Sequence, residues 1–467
     1  MAKSAQRPLR VAIVGSGPSA MYAAEALFKA DGLDVRVDVF DRLPTPYGLV
    51  RGGVAPDHQK IKNVVRVYEK VESDPRYRFF GNVTLGRDVS VADLRAHYDQ
   101  IVYAVGNESD RKMGIPGEDL DGVHSATDFV GWYNGHPDYR DLEFKLATAQ
   151  RVAIVGNGNV AVDVARILVR QPDELAPTDI ADYALSALRA SSVKDVVMLG
   201  RRGPAQAAFS PKELQELADL DAVSVVVDPA EIELDELSAE WLESQPRSSK
   251  RNVEILKDLA EVAPTAGART IHCRFLVSPV EFAGGSGIER VRIEHGELVA
   301  DDRGTPRPKG TGKFEDLDVD LVFKAVGYRG VAIDGVPFDE GWGVIPNDEG
   351  RVLERRDGDV VPNEYVVGWA KRGPTGLIGT NSPDAKDTVA RMVEDVTATR
   401  VWDDLPGEDA ITDLLTRRGV EFVNLEDWRR LDAFEQEQGA QRGKIRAKLT
   451  SVEEMLKVVR ELRAAVS

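Results

Sequence analysis

The chain has 467 residues and a hydrophobic fraction of 42%, enough for two ordinary domains and too much for one core. Sixty Lys and Arg against 78 Asp and Glu leave a formal charge of -18, which disfavours nucleic acid as a partner. One cysteine, Cys273, excludes an internal disulfide, a CxxC redox pair and an iron-sulfur cluster held by this chain alone, and six histidines without HxxxH or HExxH spacing support no metal site. No apolar run approaches the roughly 20 residues of a membrane span. The basic opening MAKSAQRPLR passes into a short strand before Gly15 rather than into a secretory segment, so a cytoplasmic protein is expected, with any redox chemistry running on bound cofactors.

The first element predicted is a βαβ unit. In RVAIVGSGPSAMYAAEALFKADGLDVRVDVFDR an apolar strand meets a turn with Gly15 and Gly17, Pro18 and Ser19 open a helix, and Ala20 stands at the third glycine position of the dinucleotide fingerprint. The second strand ends at Asp41, placed to accept hydrogen bonds from a ribose 2'-hydroxyl, so this unit suits an adenosine without a 2'-phosphate. The segment from Leu43 to Asn63, rich in Gly and Pro, reads as a shaped loop rather than a helix or strand. A strand in YDQIVYAVGNESDRKMGIPGEDL then leads away past Gly106, and LDVDLVFKAVGYRG repeats that strand end at Leu317 to Gly330. The two look like crossings between domains.

Between them lies a second unit, VAIVGNGNVAVDVAR, with Asn157, Gly158, Asn159 and Val160 at its helix start and a helical insertion expected over Pro172 to Ser192. Its second strand, DVVMLG, ends at Arg201 and Arg202 instead of an acid. A planar guanidinium suits a phosphate, so this unit reads as selective for a 2'-phosphorylated nucleotide. Later, NEYVVGWAKRGPTGLIGTNSPDAKDTVARMVEDV gives a short strand, a glycine-rich turn over Gly373 to Gly379 and a helix capped by Ser382 or Asp384. The tail from Glu408 to Ser467 is charged, helical in pattern and without evident chemistry.

Taken together, GSGPSA, LPTPYGLVRGGVAPDH, YAVGNESDRKMGIPGE, GNGNVAVDVARIL, GRRGPAQAAFSPKEL, VGYRG and GWAKRGPTGLIGTNSPDAKDTV resemble the adrenodoxin reductase family of NADPH-ferredoxin reductases, particularly its actinobacterial members. The resemblance runs from the first strand to about Met392. It implies an α/β fold of two dinucleotide-binding, Rossmann-like domains with parallel central sheets. An NADP domain (residues 109-331) would be inserted into an FAD domain made of residues 1-108 and 332-467, the latter with the C-terminal helical region.

The resemblance also implies roles. Non-covalent FAD would meet Gly15, Gly17, Pro18, Ser19 and Ala20 at its pyrophosphate and Asp41 at its ribose, where relatives carry Glu. Leu49 and Val83 would line the flavin, and Trp369, Gly376, Leu377 and Ile378 would present backbone to its ring, with Gly376 where nicotinamide and flavin meet. NADP(H) would lie on Asn157, Gly158, Asn159 and Val160, its 2'-phosphate on Arg201 and Arg202, with Arg111 and Glu213 also in contact. His58 and Glu216 match a pair suggested to relay protons near the flavin. A departure is Gly52, where many relatives carry a larger residue.

The activity implied is transfer of a hydride from NADPH to FAD and of single electrons onward to an acidic ferredoxin, met transiently by a monomeric enzyme through basic groups such as Lys250 and Arg251. The electrons would supply a cytochrome P450 or another iron enzyme. An NADPH-flavin monooxygenase or diaphorase is the nearest alternative, but in FVGWYNGHP the histidine of the FxGxxxH signature, His136, comes one position late. The lone Cys273 counts against a disulfide reductase, and no cysteine clusters match a glutamate synthase subunit. A non-catalytic sensor holding both nucleotides is the alternative from another class.

Overall fold

The computed structural model describes residues 7-107, 109-399 and 405-465. The chain divides into two compact units, one of residues 1-109, 134-137 and 327-467, the other of residues 110-133 and 138-326.

The first unit is built on a seven-stranded sheet. Its parallel part places β1 (Leu9–Val14) between β2 (Val35–Asp41) and β4 (Gln100–Tyr103), with β3 (Tyr77–Gly81) outside β2 and the late strand Val360–Val366 outside β4. The short strands Arg351–Leu353 and Asn347–Asp348 continue this edge antiparallel. Every residue of β1 is buried, as a parallel strand covered on both faces requires. On one face pack α1 (Pro18–Phe28) and the helix Asn381–Thr399, and core residues Val11, Ile13, Ala24 and Val389 share one cluster. Because β1 and β4 are adjacent and the chain leaves β1 in the opposite direction along the sheet, their carboxyl ends form the switch point where open α/β sheets bind ligands.

The second unit has a six-stranded parallel sheet in the order Val123–Ser125, Leu321–Lys324, Arg151–Val155, Asp195–Gly200, Arg269–Phe275, Val223–Val227. A three-stranded antiparallel sheet, Val277–Ala283, Arg290–Ala300 and Pro306–Asp318, is attached to it. The expected helical insertion contains the helices Pro172–Leu175 and Asp182–Arg189.

Two local expectations need correction. The Leu43 to Asn63 segment is not only loop: it holds one-turn helices at Leu49–Gly52 and Gln59–Lys62. The first begins after Tyr47 (φ 83°) and Gly48 (φ 49°), whose left-handed backbone turns the chain sharply and lets a new turn start. The late helix starts at Asn381, directly after a 3-10 turn at Ile378–Thr380, so neither Ser382 nor Asp384 caps it. Both lie inside its first turn.

Candidate nucleotide-binding sites

In the first unit the glycine loop follows β1. Gly15 has φ +99°, and a Cβ there would stand 2.4 Å from the Ala104 carbonyl oxygen, so only glycine lets β1 and β4 run so close. Gly17 differs. A Cβ on it would meet nothing closer than Gly48 Cα at 4.0 Å, which leaves the space over the loop open. Gly17 is also the N-cap of α1, with no side chain accepting from the first turn and Pro18 at the helix start. Such an uncapped N-terminus offers backbone N-H groups and a positive dipole end to an anion. Ala20 is fully buried against the sheet, and Ser19 lies beneath Gly368, whose Cβ would fall 2.6 Å from that of Ser19.

Asp41 closes β2, but its carboxylate is turned onto the glycine loop. One oxygen accepts from the Ser16 amide (2.9 Å) and hydroxyl, the other from the Leu43 amide (2.9 Å). Burial pushes its pKa up, against these donors. With these bonds the acid braces the glycine loop rather than standing free at the strand end.

The other residues expected near the flavin differ in exposure. Val83 is buried. Leu49 is 36% and Leu377 63% exposed, apolar surface of the kind that marks a ligand-binding face. Gly376 (φ +82°) would place a Cβ 2.7 Å from Thr380 Oγ1, and that hydroxyl accepts from the Leu377 amide at 3.0 Å. Ile378 is half-buried. Trp369 stacks obliquely on Tyr328 at 5.2 Å and donates its indole N-H to the Thr375 carbonyl at 3.2 Å. His58 is buried just ahead of the helix Gln59–Lys62. At Gly52 a Cβ would come 3.1 Å from the His136 ring, so the imidazole closes the space beside this glycine.

The second unit repeats the cradle. Gly156 has φ +135°, and its Cβ would lie 2.5 Å from the Ala325 carbonyl oxygen, whereas the nearest atom to a Cβ on Gly158 is Ala208 Cβ at 3.9 Å. Gly158 is the N-cap of the helix Asn159–Val169 and has no capping side chain. Asn157 Nδ2 is buried without a hydrogen-bond partner. Asn159 Oδ1 accepts from the Ser210 amide at 2.8 Å, and Val160 packs partly into the core. Ser210 in turn caps the helix Pro211–Ala218, which carries Glu213 and Glu216. Glu213 is buried, 3.5 Å from Arg166, itself held by Asp163 at 2.7 Å. Glu216 sits 3.4 Å from Lys212 on the same helix. It belongs to the second unit and His58 to the first.

Arg201 and Arg202 follow the strand Asp195–Gly200. Neither forms an ion pair with an acid among the described residues. The Arg202 guanidinium is held below its usual pKa by burial first, then by the charges of Arg201 and Arg307. Two guanidinium groups without an acidic partner suit an anion, and Arg307, on the strand Pro306–Asp318 and itself paired with Asp301 at 2.9 Å, adds a nearby positive group that spacing along the chain does not reveal. Arg111 is exposed. Lys250 and Arg251 lie on the helix Arg247–Ala260, each engaged by an acid, Glu243 at 3.1 Å and Glu254 at 2.9 Å.

Tyr47 and Asp384 were not legible as site residues. Tyr47 donates its amide to the Ser16 carbonyl at 3.0 Å and so joins the Leu43 to Asn63 segment, the crossover loop of the first unit, to the glycine loop. Asp384 accepts from the Gly368 amide at 2.7 Å and pairs with Lys371 and Arg372 at 3.2 and 3.3 Å. The lone Cys273 is buried and its thiol is pushed up to about 12 by desolvation, which leaves it inert near neutral pH. The open space over Gly17 and Gly158, the two uncapped helix starts, the unsatisfied Asn157 amide and the exposed leucines fit FAD in the first unit and NADP in the second.

Comparison with known proteins agrees. The pyridine nucleotide-disulphide oxidoreductase family matches residues 9–198. NADPH-ferredoxin reductase FprA of Mycobacterium tuberculosis is 48% identical over 461 residues, covering 97% of this chain and 99% of that protein. The mitochondrial NADPH:adrenodoxin oxidoreductase of Arabidopsis thaliana is 42% identical over 465 residues, covering 97% and 96%. The structure of M. tuberculosis FprA in complex with NADPH superposes with a TM-score of 0.91 at 46% identity, covering 97% of this chain and all of that one. This chain belongs to the NADPH-ferredoxin reductase family of the adrenodoxin reductase type.

Proposed function

We propose that the protein is an FAD-containing NADPH-ferredoxin reductase, and that the observation carrying this reading is the pair of nucleotide cradles ending in opposite charge, Asp41 on one and Arg201 with Arg202 on the other. When bound, FAD accepts two electrons as a hydride from NADPH and releases them singly. The chain's own task is positioning. Gly15 and Gly17 admit a pyrophosphate to the start of α1, and Gly156 and Gly158 do so at the second helix. Arg201 and Arg202 select the phosphorylated adenosine by charge and planar hydrogen bonding. Asp384 and Thr380 hold the Gly368 and Leu377 amides in the turn that would present backbone to the ring.

The electron acceptor in this reading is a small acidic ferredoxin, with a cytochrome P450 or another iron enzyme beyond it. The enzyme would act as a cytoplasmic monomer. Lys250 and Arg251 remain its proposed contacts, and their acidic partners would have to yield to the ferredoxin's charges. The test is NADPH-dependent reduction of a [2Fe-2S] ferredoxin, followed by the loss of its visible absorbance. Turnover with a KM for ferredoxin that rises with salt, and rises again in Lys250→Glu plus Arg251→Glu, is expected. Flavin reduction without any electron transfer to ferredoxin would overturn the assignment of the acceptor.

A further inference from the structure

At the amino ends of the first unit's strands, away from the glycine loop by about 17 Å of strand length at the usual rise, lies a small cleft of about 40 Å3 lined by Arg10, Arg36, Arg76 and Arg78 with Asp38 and Glu408. Arg10 and Arg36 are direct partners across β1 and β2. Like charges opposite each other in a sheet repel. Arg10 is only 7% exposed, and its guanidinium has no hydrogen bond or ion pair among the described residues. Arg36 donates one arm to the Pro75 carbonyl at 3.4 Å, while its Nε is buried without a hydrogen-bond partner.

The nearby acids are committed elsewhere. Asp38 accepts from Arg78 at 2.8 and 2.6 Å and from the Tyr98 hydroxyl at 2.6 Å. Asp99 receives both arms of Arg7, each at 2.7 Å, and the Arg10 amide at 2.8 Å. Asp74 holds Arg76 at 2.9 and 2.7 Å. The remaining acid of the cleft, Glu408, is half-exposed and 3.9 Å from Arg36. Burial first, and then the charge of Arg7, hold the Arg10 guanidinium below its usual pKa, against the charges of Asp99 and Glu408.

We propose that this cleft binds a small tetrahedral oxyanion of the inorganic phosphate class, held by Arg10 and Arg36 and competing with the Glu408 carboxylate. A planar guanidinium pair matches such an anion bidentately, and the bound charge would relieve the cross-strand repulsion. The site shares no residue with either nucleotide cradle and would stabilise the first unit without taking part in electron transfer.

The test uses the full-length FAD-loaded protein carrying Arg201→Ala and Arg202→Ala, so that the adenosine-phosphate site cannot answer for this one. Thermal unfolding is followed while inorganic phosphate replaces chloride at constant ionic strength. A saturable rise in midpoint is expected, abolished by Arg36→Gln and shifted to several-fold lower phosphate by Glu408→Gln. Equal midpoints in phosphate and chloride, or a rise that Arg36→Gln leaves intact, would overturn the proposal. Should Arg36→Gln fail to fold, an unchanged half-saturation in Glu408→Gln would overturn it as well.

Discussion

Gly156 and Gly158 stand two positions apart and are glycine for different reasons. The first has φ +135° and no room for a Cβ beside the Ala325 carbonyl; the second has an ordinary φ of -104° and open space before it. Gly156→Ala should therefore cost at least about 1-3 kcal/mol of stability through backbone strain alone. Gly158→Ala should unfold at the parent's midpoint yet bind NADPH weakly, because its methyl group would occupy ligand space. Thermal denaturation and NADPH titration separate the two. At the arginine corner a lost charge-assisted hydrogen bond is worth about 1.5-3 kcal/mol, so Arg202→Ala should raise the KM for NADPH roughly 10- to 100-fold while the KM for NADH changes little. Steady-state kinetics with both nucleotides decide it. The fingerprint glycines and strand-end charges were legible because each sits at a fixed offset from a strand. Arg307 was not, since only folding brings its strand beside Arg202.

The elements least legible were those whose meaning depends on distant partners. The tail reads as charged helix, and its helices Leu425–Gln441 and Val452–Ala464 are present, but its pattern hides Glu435. That side chain is fully buried and accepts from Arg51 at 2.8 and 2.6 Å, from Arg446 at 3.0 Å and from the Leu449 amide at 2.8 Å. The tail thus holds the crossover loop that touches the glycine loop, and Glu435→Ala should cost about 3-5 kcal/mol, as breaking a buried pair does, with release of FAD at lower urea.

On the same loop Tyr47 lies edge-on to Trp428 at 5.7 Å and donates to Glu72 at 3.1 Å. Burial pushes Glu72 up to about 7, against the Tyr47 hydrogen bond and the charge of Arg429 and with that of Glu69 and Asp432. Between the unfolded value of about 4.3 and this folded value the native state holds the extra proton, so stability falls as pH rises through that window. The displacement corresponds to about 4 kcal/mol once both states are ionised. Glu72→Gln should therefore gain stability relative to the parent at pH 8 and much less at pH 5; an equal difference at both would show that Glu72 ionises normally.

At the scale of the whole molecule, composition and the two βαβ patterns were enough to expect two parallel central sheets, and both are present, five parallel strands with two antiparallel ones at the edge in one and six parallel strands in the other. The antiparallel extension of the second unit over Val277 to Asp318 went unread. Its two longer strands, Arg290–Ala300 and Pro306–Asp318, bury few of their residues, so they lack the apolar signal that betrays a core strand. The central claim is that one cradle holds FAD and the other delivers NADPH's electrons to it. Anaerobic stopped-flow absorbance with NADPH and with NADH, for the parent and for Arg201→Ala plus Arg202→Ala, tests it most directly. The account predicts a yellow protein whose flavin absorbance bleaches rapidly with NADPH and far more slowly with NADH, with that preference lost in the variant. A colourless protein, or a flavin that stays oxidised under NADPH, would contradict it.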